Sequence, residues 1–261
     1  MTPFNTPDAP KIHIFVWPER FLYLGPSART SPHRNHAATW LVAHHGTLRV
    51  TLSSGGVLEN EVIYVPSETE FATDDATSLI AALYWEPESE SFRRAAAQFD
   101  VTSPRAFRCP HTQLGELAAL YQASSSLADA DVLLAKIFGL DGFGSAETTT
   151  SDSRIVDALH FLRDAPDAYG SIEALAARAH LSPSRFAHLF KEQVGVPVRR
   201  YVLWQKMRRA LDLAIAGDSL TTAALSAGFA DSAHLSRTVR AILGVAPEFL
   251  FRYRERLVLH H

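Results

Sequence analysis

The chain has 261 residues, with 25 Lys and Arg against 28 Asp and Glu for a formal net charge of -3, and 47% of its residues are hydrophobic. This composition is typical of one large or two ordinary globular domains and excludes a disordered, collagen-like or coiled-coil chain. The single cysteine, Cys109, excludes a disulfide framework and a multi-cysteine metal site, and it fits a cytoplasmic location. The first residues lack a basic segment followed by an apolar one, and no apolar stretch approaches about 18 residues. We therefore expect neither a signal peptide nor a membrane span.

The excess of Asp and Glu over Lys and Arg is confined to the first half of the chain. Residues 1–151 hold 10 Lys and Arg against 17 Asp and Glu, whereas residues 152–261 hold 15 against 11, which gives -7 and +4. Such asymmetry indicates a nucleic-acid-binding part joined to a part with another role, although clustering on two solvated surfaces explains the charges equally well. The segment GLDGFGSAETTTSDS lies between the halves, and its composition predicts a flexible linker over residues 141–152.

The N-terminal half predicts strands first and helices afterwards. Runs rich in β-branched and aromatic residues, such as HIFVW, ATWLVAHH, GTLRVTL and EVIYVP, are separated by turn residues. This pattern predicts a small antiparallel β-sandwich or barrel over residues 1–90. Leucines at helical spacing, among them Leu117 and Leu134, then predict two helices within residues 91–140. The predicted fold class is therefore α+β and multidomain.

The segment from Pro32 to Phe71 resembles the cupin-type sensor domain. The resemblance is carried by PHRNHAATWLVAHHGTLRV and ENEVIYVPSETEF, but His33 and His36 would lie on opposite faces of a regular strand, and Glu70 stands where a late histidine is expected. We therefore expect no metal cofactor and a small organic effector in its place. The weak metal candidates are His33, His36, His44 and His45. The effector-pocket candidates are Trp17, Trp40, Tyr64 and Trp85, which fit the sandwich core equally well.

The C-terminal half contains the same unit twice. Residues 172–196 read IEALAARAHLSPSRFAHLFKEQVGV, and residues 220–245 read LTTAALSAGFADSAHLSRTVRAILGV. Each copy predicts a short helix with a small central alanine, Ala176 or Ala224, then a tight turn and a second helix. Two such copies, separated by a segment that predicts one long helix over residues 199–217, are typical of a doubled helix-turn-helix.

The turns and caps of the two copies carry the same signals. Ser182 and Asp231 precede the second helices and are favourable N-caps. The turn needs a residue that tolerates positive φ, which Gly228 supplies in the second copy. His180 stands at the equivalent position of the first copy, where a histidine is permitted but uncommon.

This arrangement resembles the DNA-binding domain of the AraC/XylS family of bacterial transcription regulators, from about Ile155 to Arg252. The matching motifs are LSPSRFAHLFKEQVGVPVRRY, MRRALDLAIAGDSL and AALSAGFADSAHLSRTVRAILGVAP. The chain departs from the family by having Val239 and Leu250 where aromatic residues are common, but both positions stay apolar. The resemblance implies an all-α domain over residues 153–257, with two helix-turn-helix units joined by a long helix.

The resemblance also implies which residues meet DNA. The two recognition helices would enter successive major-groove segments, about 34 Å apart. Base-contact candidates are Ser184, Ala187, His188, Ser232, Ala233, His234 and Arg237. Phosphate-contact candidates are Arg185, Lys191, Arg199, Arg200, Lys206, Arg208 and Arg240. Arg237 can read guanine through two hydrogen bonds or contact a phosphate.

Two further partners follow from the same resemblance. The helices of residues 91–140 would pair two chains into a homodimer, or they would pack wholly onto their own sheet. The bound regulator would act with RNA polymerase.

Two enzyme functions compete with transcription regulation. A metal-dependent cupin enzyme with a helical appendage requires a complete metal-ligand set, which the sequence lacks. A DNA-repair alkyltransferase requires an activated acceptor thiol, usually beside a zinc-bound cysteine cluster, and Cys109 in RCPH offers neither. We therefore expect a regulator that binds double-stranded DNA and a small-molecule effector, with no catalytic residues.

Overall fold

The computed structural model describes residues 11–74, 79–97, 99, 101–108, 126–137, 152–166, 169–251 and 254–260. A sheet-rich N-terminal domain precedes a helical C-terminal domain, so the predicted α+β class is confirmed. Most of the predicted linker and the first of the two predicted helices of residues 91–140 lie outside the described residues. Within the described ranges, no helix is both long and apolar enough to cross a membrane.

Two sheets form the N-terminal domain. The strands are β1 (Ile12–Val16), β2 (Arg20–Pro26), β3 (Ala38–Ala43), β4 (Leu48–Leu52), β5 (Val57–Asn60), β6 (Val62–Val65), β7 (Phe71–Thr73), β8 (Leu79–Trp85), β9 (Arg105–Phe107) and β10 (Leu257–His260). The larger sheet has the order β10-β1-β2-β8-β3-β6-β9, and the smaller has the order β5-β4-β7. All strand pairs are antiparallel except β1 with β10.

The two outer strands of the larger sheet come from segments with other predicted roles. β9 lies within the stretch predicted to be helical, and it pairs with β6. β10 follows the helical domain and returns to pair in parallel with β1, where His13 aligns with Val258 and Phe15 with His260. Residues 257–260 are therefore part of the N-terminal sheet, although the sequence suggests that the helical domain extends to residue 257.

The two faces of the larger sheet are covered differently. Helices α1 (Glu90–Ala96) and α2 (Leu127–Ile137) cover one face, where Leu133 and Leu134 are buried in the same cluster as the sheet side chains. The smaller sheet covers part of the other face, and Val50 and Phe71 pack there against residues of β3, β6 and β8. The helical domain also packs on that second face, where Trp204 contacts Phe21.

The C-terminal domain contains seven helices among its described residues. They are α3 (Ser153–Asp164), α4 (Ile172–Arg178), α5 (Pro183–Val194), α6 (Val198–Ala216), α7 (Leu220–Ser226), α8 (Ser232–Leu243) and α9 (Glu248–Phe251). α6 is a single 19-residue helix, in agreement with the predicted long helix of residues 199–217.

The two helix-turn-helix units have separate cores. The core of the first unit is formed by α3, α4, α5 and the start of α6, with Phe186, Phe190 and Tyr201 fully buried. The core of the second unit is formed by the rest of α6 with α7 and α8. It includes Ala37, which belongs to the N-terminal domain.

Candidate nucleic-acid interface and interdomain site

The turns of the two helix-turn-helix units have the same geometry. His180 has φ +54° and Gly228 has φ +79°, so both adopt the left-handed backbone that the sequence predicts. In each turn the amide of the next residue, Leu181 or Phe229, donates to a carbonyl five residues earlier at 2.9 Å. The central alanines of α4 and α7 are fully buried at the helix crossings.

Both recognition helices, α5 and α8, begin and end with matching caps. The Ser182 hydroxyl accepts from the amide of Arg185 at 3.3 Å, and the Asp231 carboxylate accepts from the amide of His234 at 2.6 Å. Gly195 and Gly244 end the helices in the left-handed conformation, with φ +88° and +72°. The repeat seen in the sequence is therefore a repeat in structure.

The base-contact candidates lie on the outer faces of α5 and α8. In α5, Ser184 and His188 are exposed and Ala187 is half-buried. In α8, Ala233 and Arg237 are exposed. The apolar side chains on the other side of each helix, such as Phe186 and Leu235, are buried, as expected of amphipathic helices. Ser232 and His234 are half-buried, and the ring of His234 meets that of Phe229 edge-on at 5.1 Å.

The phosphate-contact candidates divide into two groups. Four are exposed on the surface of the helical domain: Arg185, Lys191, Arg199 and Arg240. The other three, Lys206, Arg200 and Arg208, make contacts within the protein. Lys206 donates to the carbonyl of Gly228, and Arg200 forms a 3.0 Å ion pair with Glu68 of the N-terminal domain.

Arg208 is the clearest correction to the predicted phosphate contacts. Its guanidinium donates to the carbonyl oxygens of Trp17 and Pro18 at 2.6 and 2.8 Å, and to Glu86 Oε1 at 2.8 Å. The Arg208 side chain is only 11% exposed. Because this group is occupied at the domain boundary, it does not lie on the surface that carries the other cations.

Two buried carboxylates, Glu86 and Glu88, bind side chains of the helical domain. Both residues follow β8, and their side chains are at most 1% exposed. Glu86 Oε1 accepts from Trp204 Nε1 at 2.9 Å and from Gln205 Nε2 at 2.8 Å, both on α6. Arg163 of α3 binds Glu86 Oε2 at 2.9 Å. The sequence offered no pattern for this site, because its partners are more than 50 residues away in the chain.

Glu86 and His36 are among the groups whose pKa values are shifted by these contacts at the domain boundary. Burial by itself would raise the pKa of Glu86, but the charges of Arg163 and Arg208 outweigh this effect and lower the pKa from 4.5 to about 2. Burial lowers the pKa of His36, but the Glu88 carboxylate, at 2.9 Å from Nε2, outweighs this and holds the pKa above its ordinary value. Glu86 is therefore ionised at neutral pH.

An apolar cavity of about 120 Å³ lies between the two domains. Its sheet wall includes Ile14, Phe21 and Tyr84, and α6 supplies Met207, Leu211 and Ile215. Arg208 and Asp212 add the charged groups of its lining, and burial raises the pKa of Tyr84 to about 12. Since both domains line it, an occupant would contact the sensor sheet and the long helix together.

The predicted effector aromatics do not line this cavity. Trp17, Trp40, Tyr64 and Trp85 are at most 6% exposed and pack together on the opposite face of the larger sheet, under α1 and α2. They form the sandwich core, which was the alternative interpretation of their pattern. Their alternation along the strands placed them on a common face but did not show which face borders the cavity.

The four histidines considered as metal ligands do not form one cluster. His33 bonds the carbonyl of Ser31, and His36 pairs with Glu88. His44 and His45 are neighbours whose rings are 4.2 Å apart. Among the side chains that the structure describes, no three of the His, Cys, Asp and Glu type converge as a metal site would require.

The helical domain is similar to domains of known proteins. A family profile described as "helix-turn-helix domain" matches residues 175–253. The arabinose operon regulatory protein of Salmonella typhimurium strain LT2 is 33% identical over 98 residues, which are 37% of this chain and 35% of that protein. The chain thus spans about a third of the length of this relative.

Solved structures extend the similarity to both domains. ToxT from Vibrio cholerae O395 matches with a TM-score of 0.58 and 12% identity, over 89% of this chain and 97% of that chain. ToxT from strain SCE256, determined with a bound unsaturated fatty acid, matches with a TM-score of 0.55 and 12% identity over 96% of this chain and 97% of that chain. At these identities the likeness concerns the fold.

Proposed function

Because this chain carries a C-terminal DNA-binding domain of the AraC/XylS family, we propose that it is a sequence-specific transcription regulator controlled by an effector. One observation carries the proposal. α6 joins two helix-turn-helix units of the same geometry, and each recognition helix presents exposed candidate base contacts. The two helices enter successive major-groove segments, and the site is asymmetric because the two units differ in sequence.

Exposed cations supply the affinity that does not depend on sequence. Arg185 and Lys191 of α5, Arg199 of α6 and Arg240 of α8 contact the phosphates beside the two groove segments. Sequence is read by the residues between them, above all by Arg237, whose guanidinium can bind guanine with two hydrogen bonds. Contact with RNA polymerase and pairing of two chains belong to the same proposal, supported by the family resemblance.

The effector binds in the cavity between the domains. Its lining is mostly apolar, which selects a small apolar molecule, and Arg208 and Asp212 add charged groups of opposite sign. ToxT, which shares the fold over both domains, has been determined with an unsaturated fatty acid. We therefore take an unsaturated fatty acid as the first effector class to test, beginning with a short one such as crotonic acid, because about 120 Å³ holds only a small molecule.

Selection from random DNA tests the DNA-binding function. The full chain is expected to enrich duplexes that carry two short conserved blocks one helical turn apart, without a palindrome inside one protein footprint. Hydroxyl-radical footprinting on an enriched duplex should then show two protected segments on one face of the DNA. Enrichment of no sequence over the starting pool would refute the proposed function.

A pair of variants on α6 tests the effector cavity. Ile215 lines the cavity, whereas Leu213, two residues away and also half-buried, does not. Ile215→Glu should abolish the binding of crotonic acid measured by calorimetry, because a carboxylate would enter an apolar wall. Leu213→Glu should retain it. Equal binding by both variants would place the effector elsewhere.

A further inference from the structure

The two repeat units meet different surroundings at the ends of their recognition helices. Gly195 ends α5, is exposed, and would have nothing within 4 Å of an added Cβ. Gly244 ends α8 and is buried. A Cβ there would lie 2.4 Å from His33 Nδ1, 2.6 Å from Thr30 Cβ and 2.8 Å from the carbonyl oxygen of Ser31. The absence of a side chain at Gly244 therefore permits close contact between α8 and the N-terminal domain.

Hydrogen bonds fix that contact. The amide of Ser31 donates to the carbonyl of Gly244 at 2.9 Å, and the Ser31 hydroxyl donates to the same oxygen at 3.2 Å. The amide of Arg34 donates to the carbonyl of Ala241 at 3.3 Å. Carbonyls in the last turn of a helix lack partners within the helix, so the N-terminal domain satisfies groups that α8 leaves open.

The segment that supplies these donors, Thr30–Arg34, is held firmly by its own domain. The amide of Thr30 donates to the carbonyl of Thr73, and the amide of Thr73 donates back to the Thr30 hydroxyl at 2.8 Å. His33 and Phe71 exchange two backbone hydrogen bonds of 3.0 Å each. A segment fastened to β7 in this way can determine where α8 lies.

The apolar contacts show the same asymmetry. Ala37, Phe21 and Tyr84 of the N-terminal domain pack into the core of the second unit. The core of the first unit is built within residues 155–202. Among the described residues, α5 forms no hydrogen bond, ion pair or ring contact with the N-terminal domain. The first unit contacts that domain through Arg163 on α3 and through Arg200 and Tyr201 on α6, and Arg200 also donates to the carbonyl of Arg34 at 3.4 Å.

We propose that the segment Thr30–Arg34 of the N-terminal domain positions the second recognition helix on DNA through Gly244. The first recognition helix is placed by the helical domain itself. This inference rests on the proposed DNA binding, and it assigns to the sensor domain control over one groove segment rather than over the whole site. Thr30 and His33 also line the interdomain cavity, so an effector would touch the positioning segment directly.

Two matched substitutions in the full chain test the inference. Gly195→Ala and Gly244→Ala place the same methyl group on the same left-handed cap, so both carry similar local strain. Only Gly244→Ala also meets the N-terminal domain. Hydrogen exchange should show lost protection of the Ser31 and Arg34 amides in Gly244→Ala and retained protection in Gly195→Ala.

The DNA readout is footprinting on a duplex selected by the wild-type chain. Gly244→Ala should lose protection of the segment under α8, keep that under α5, and bind about tenfold more weakly than Gly195→Ala. An unchanged footprint despite lost amide protection would overturn the inference. Equal losses by the two variants, each at its own segment, would overturn it as well, because cap strain would then suffice. If neither the wild type nor Gly195→Ala binds DNA, the proposed function fails instead.

Ser31 provides a second test should Gly244→Ala fail to fold. Ser31 is exposed, so it accepts a substitution without a core defect. Ser31→Asp would place a carboxylate beside the Gly244 carbonyl, at the negative end of α8, and should weaken protection of the second segment. Ser31→Asn offers an amide donor of the same size and should restore it. Identical footprints for Asp and Asn would count against the positioning role.

Discussion

Arg208 Nη1 donates a 2.8 Å hydrogen bond to Glu86 Oε1 across the boundary between the two domains. The same guanidinium binds the carbonyls of Trp17 and Pro18 and forms part of the cavity wall. An effector in the cavity would therefore contact, through Arg208, the long helix α6 that joins the two helix-turn-helix units. A structural relationship of this kind can couple effector occupancy to DNA affinity.

Removing the charge of Glu86 should strongly destabilise the folded chain. Glu86→Gln keeps the volume but leaves Arg208 without its buried counter-charge, and it leaves Arg163 paired with Glu88 at 3.7 Å. We expect a loss of about 3–5 kcal/mol in the free energy of unfolding, measured by urea titration. Glu59→Gln, at an exposed position of β5, should change it by less than about 0.5 kcal/mol. A similar small change in both variants would show that the carboxylate pair does not hold the domains.

The contribution of Glu86 to the free energy of unfolding should depend on pH in the acid range. The folded-state pKa of Glu86 is depressed to about 2, so its stabilisation is present above the unfolded-state value of 4.5 and is lost as the pH falls towards 2. Stability of the wild type should decline over that window, and Glu86→Gln should decline less steeply.

The contribution of His36 to the free energy of unfolding should change with pH in the opposite direction, falling as the pH rises. Its folded-state pKa is raised above the ordinary 6.5, chiefly by Glu88 against the opposing effect of burial. The stabilisation is therefore complete below about pH 6.5 and is lost as the pH rises through the folded-state value. Urea titrations at about pH 6 and pH 9 should show this loss in the wild type but not in His36→Gln. His160→Gln, at an exposed position on α3, should behave as the wild type does.

Two exposed cations should affect DNA binding differently. Arg237→Ala should cost about 1–3 kcal/mol of binding free energy and relax the preference at one base position. Lys191→Ala should weaken binding to all sequences about equally and reduce the slope of affinity against salt. Binding to single-base variants of the selected duplex measures both effects. An unchanged base preference in Arg237→Ala would remove its readout role.

Pairing of two chains through α2 should depend on Val132 rather than on Leu134. Val132 is 58% exposed, whereas Leu134 is 3% exposed and packs in the core of its own domain. If α2 pairs chains, Val132→Asp should give monomers in sedimentation experiments with an unchanged melting temperature. Leu134→Asp should instead unfold the sensor domain, because it buries a charge. A dimer that persists in Val132→Asp would exclude this face.

Local signals predicted the helical domain well. The capping residues Ser182 and Asp231, the positive-φ positions His180 and Gly228, and the spacing of apolar residues are properties of short segments. A short helix is specified by its own caps and periodicity, so the sequence is sufficient there. Two copies of the pattern made the helix-turn-helix interpretation specific.

The strands were predictable as a class but not in their pairing. Period-2 alternation predicted an antiparallel sandwich, and it also made Trp40 and Trp85 plausible as either core or pocket. Three-residue β9 and four-residue β10 are too short for a clear pattern, and β10 pairs with a strand more than 240 residues away. Such partners are selected by the completed sheet edge, not by local propensity.

The sequence alone determined the doubled helix-turn-helix and the residues that its recognition helices expose, since periodicity, caps and turns are encoded locally. Only the tertiary structure decided that Arg208 and Arg200 face the sensor domain, where Arg208 pairs with Glu86 and Arg200 pairs with Glu68. It also decided that Gly244 differs from Gly195, although the two glycines are equivalent in sequence. The physical reason is that the environment of a charge or a glycine is set by residues far away in the chain, which come together only when the domains pack.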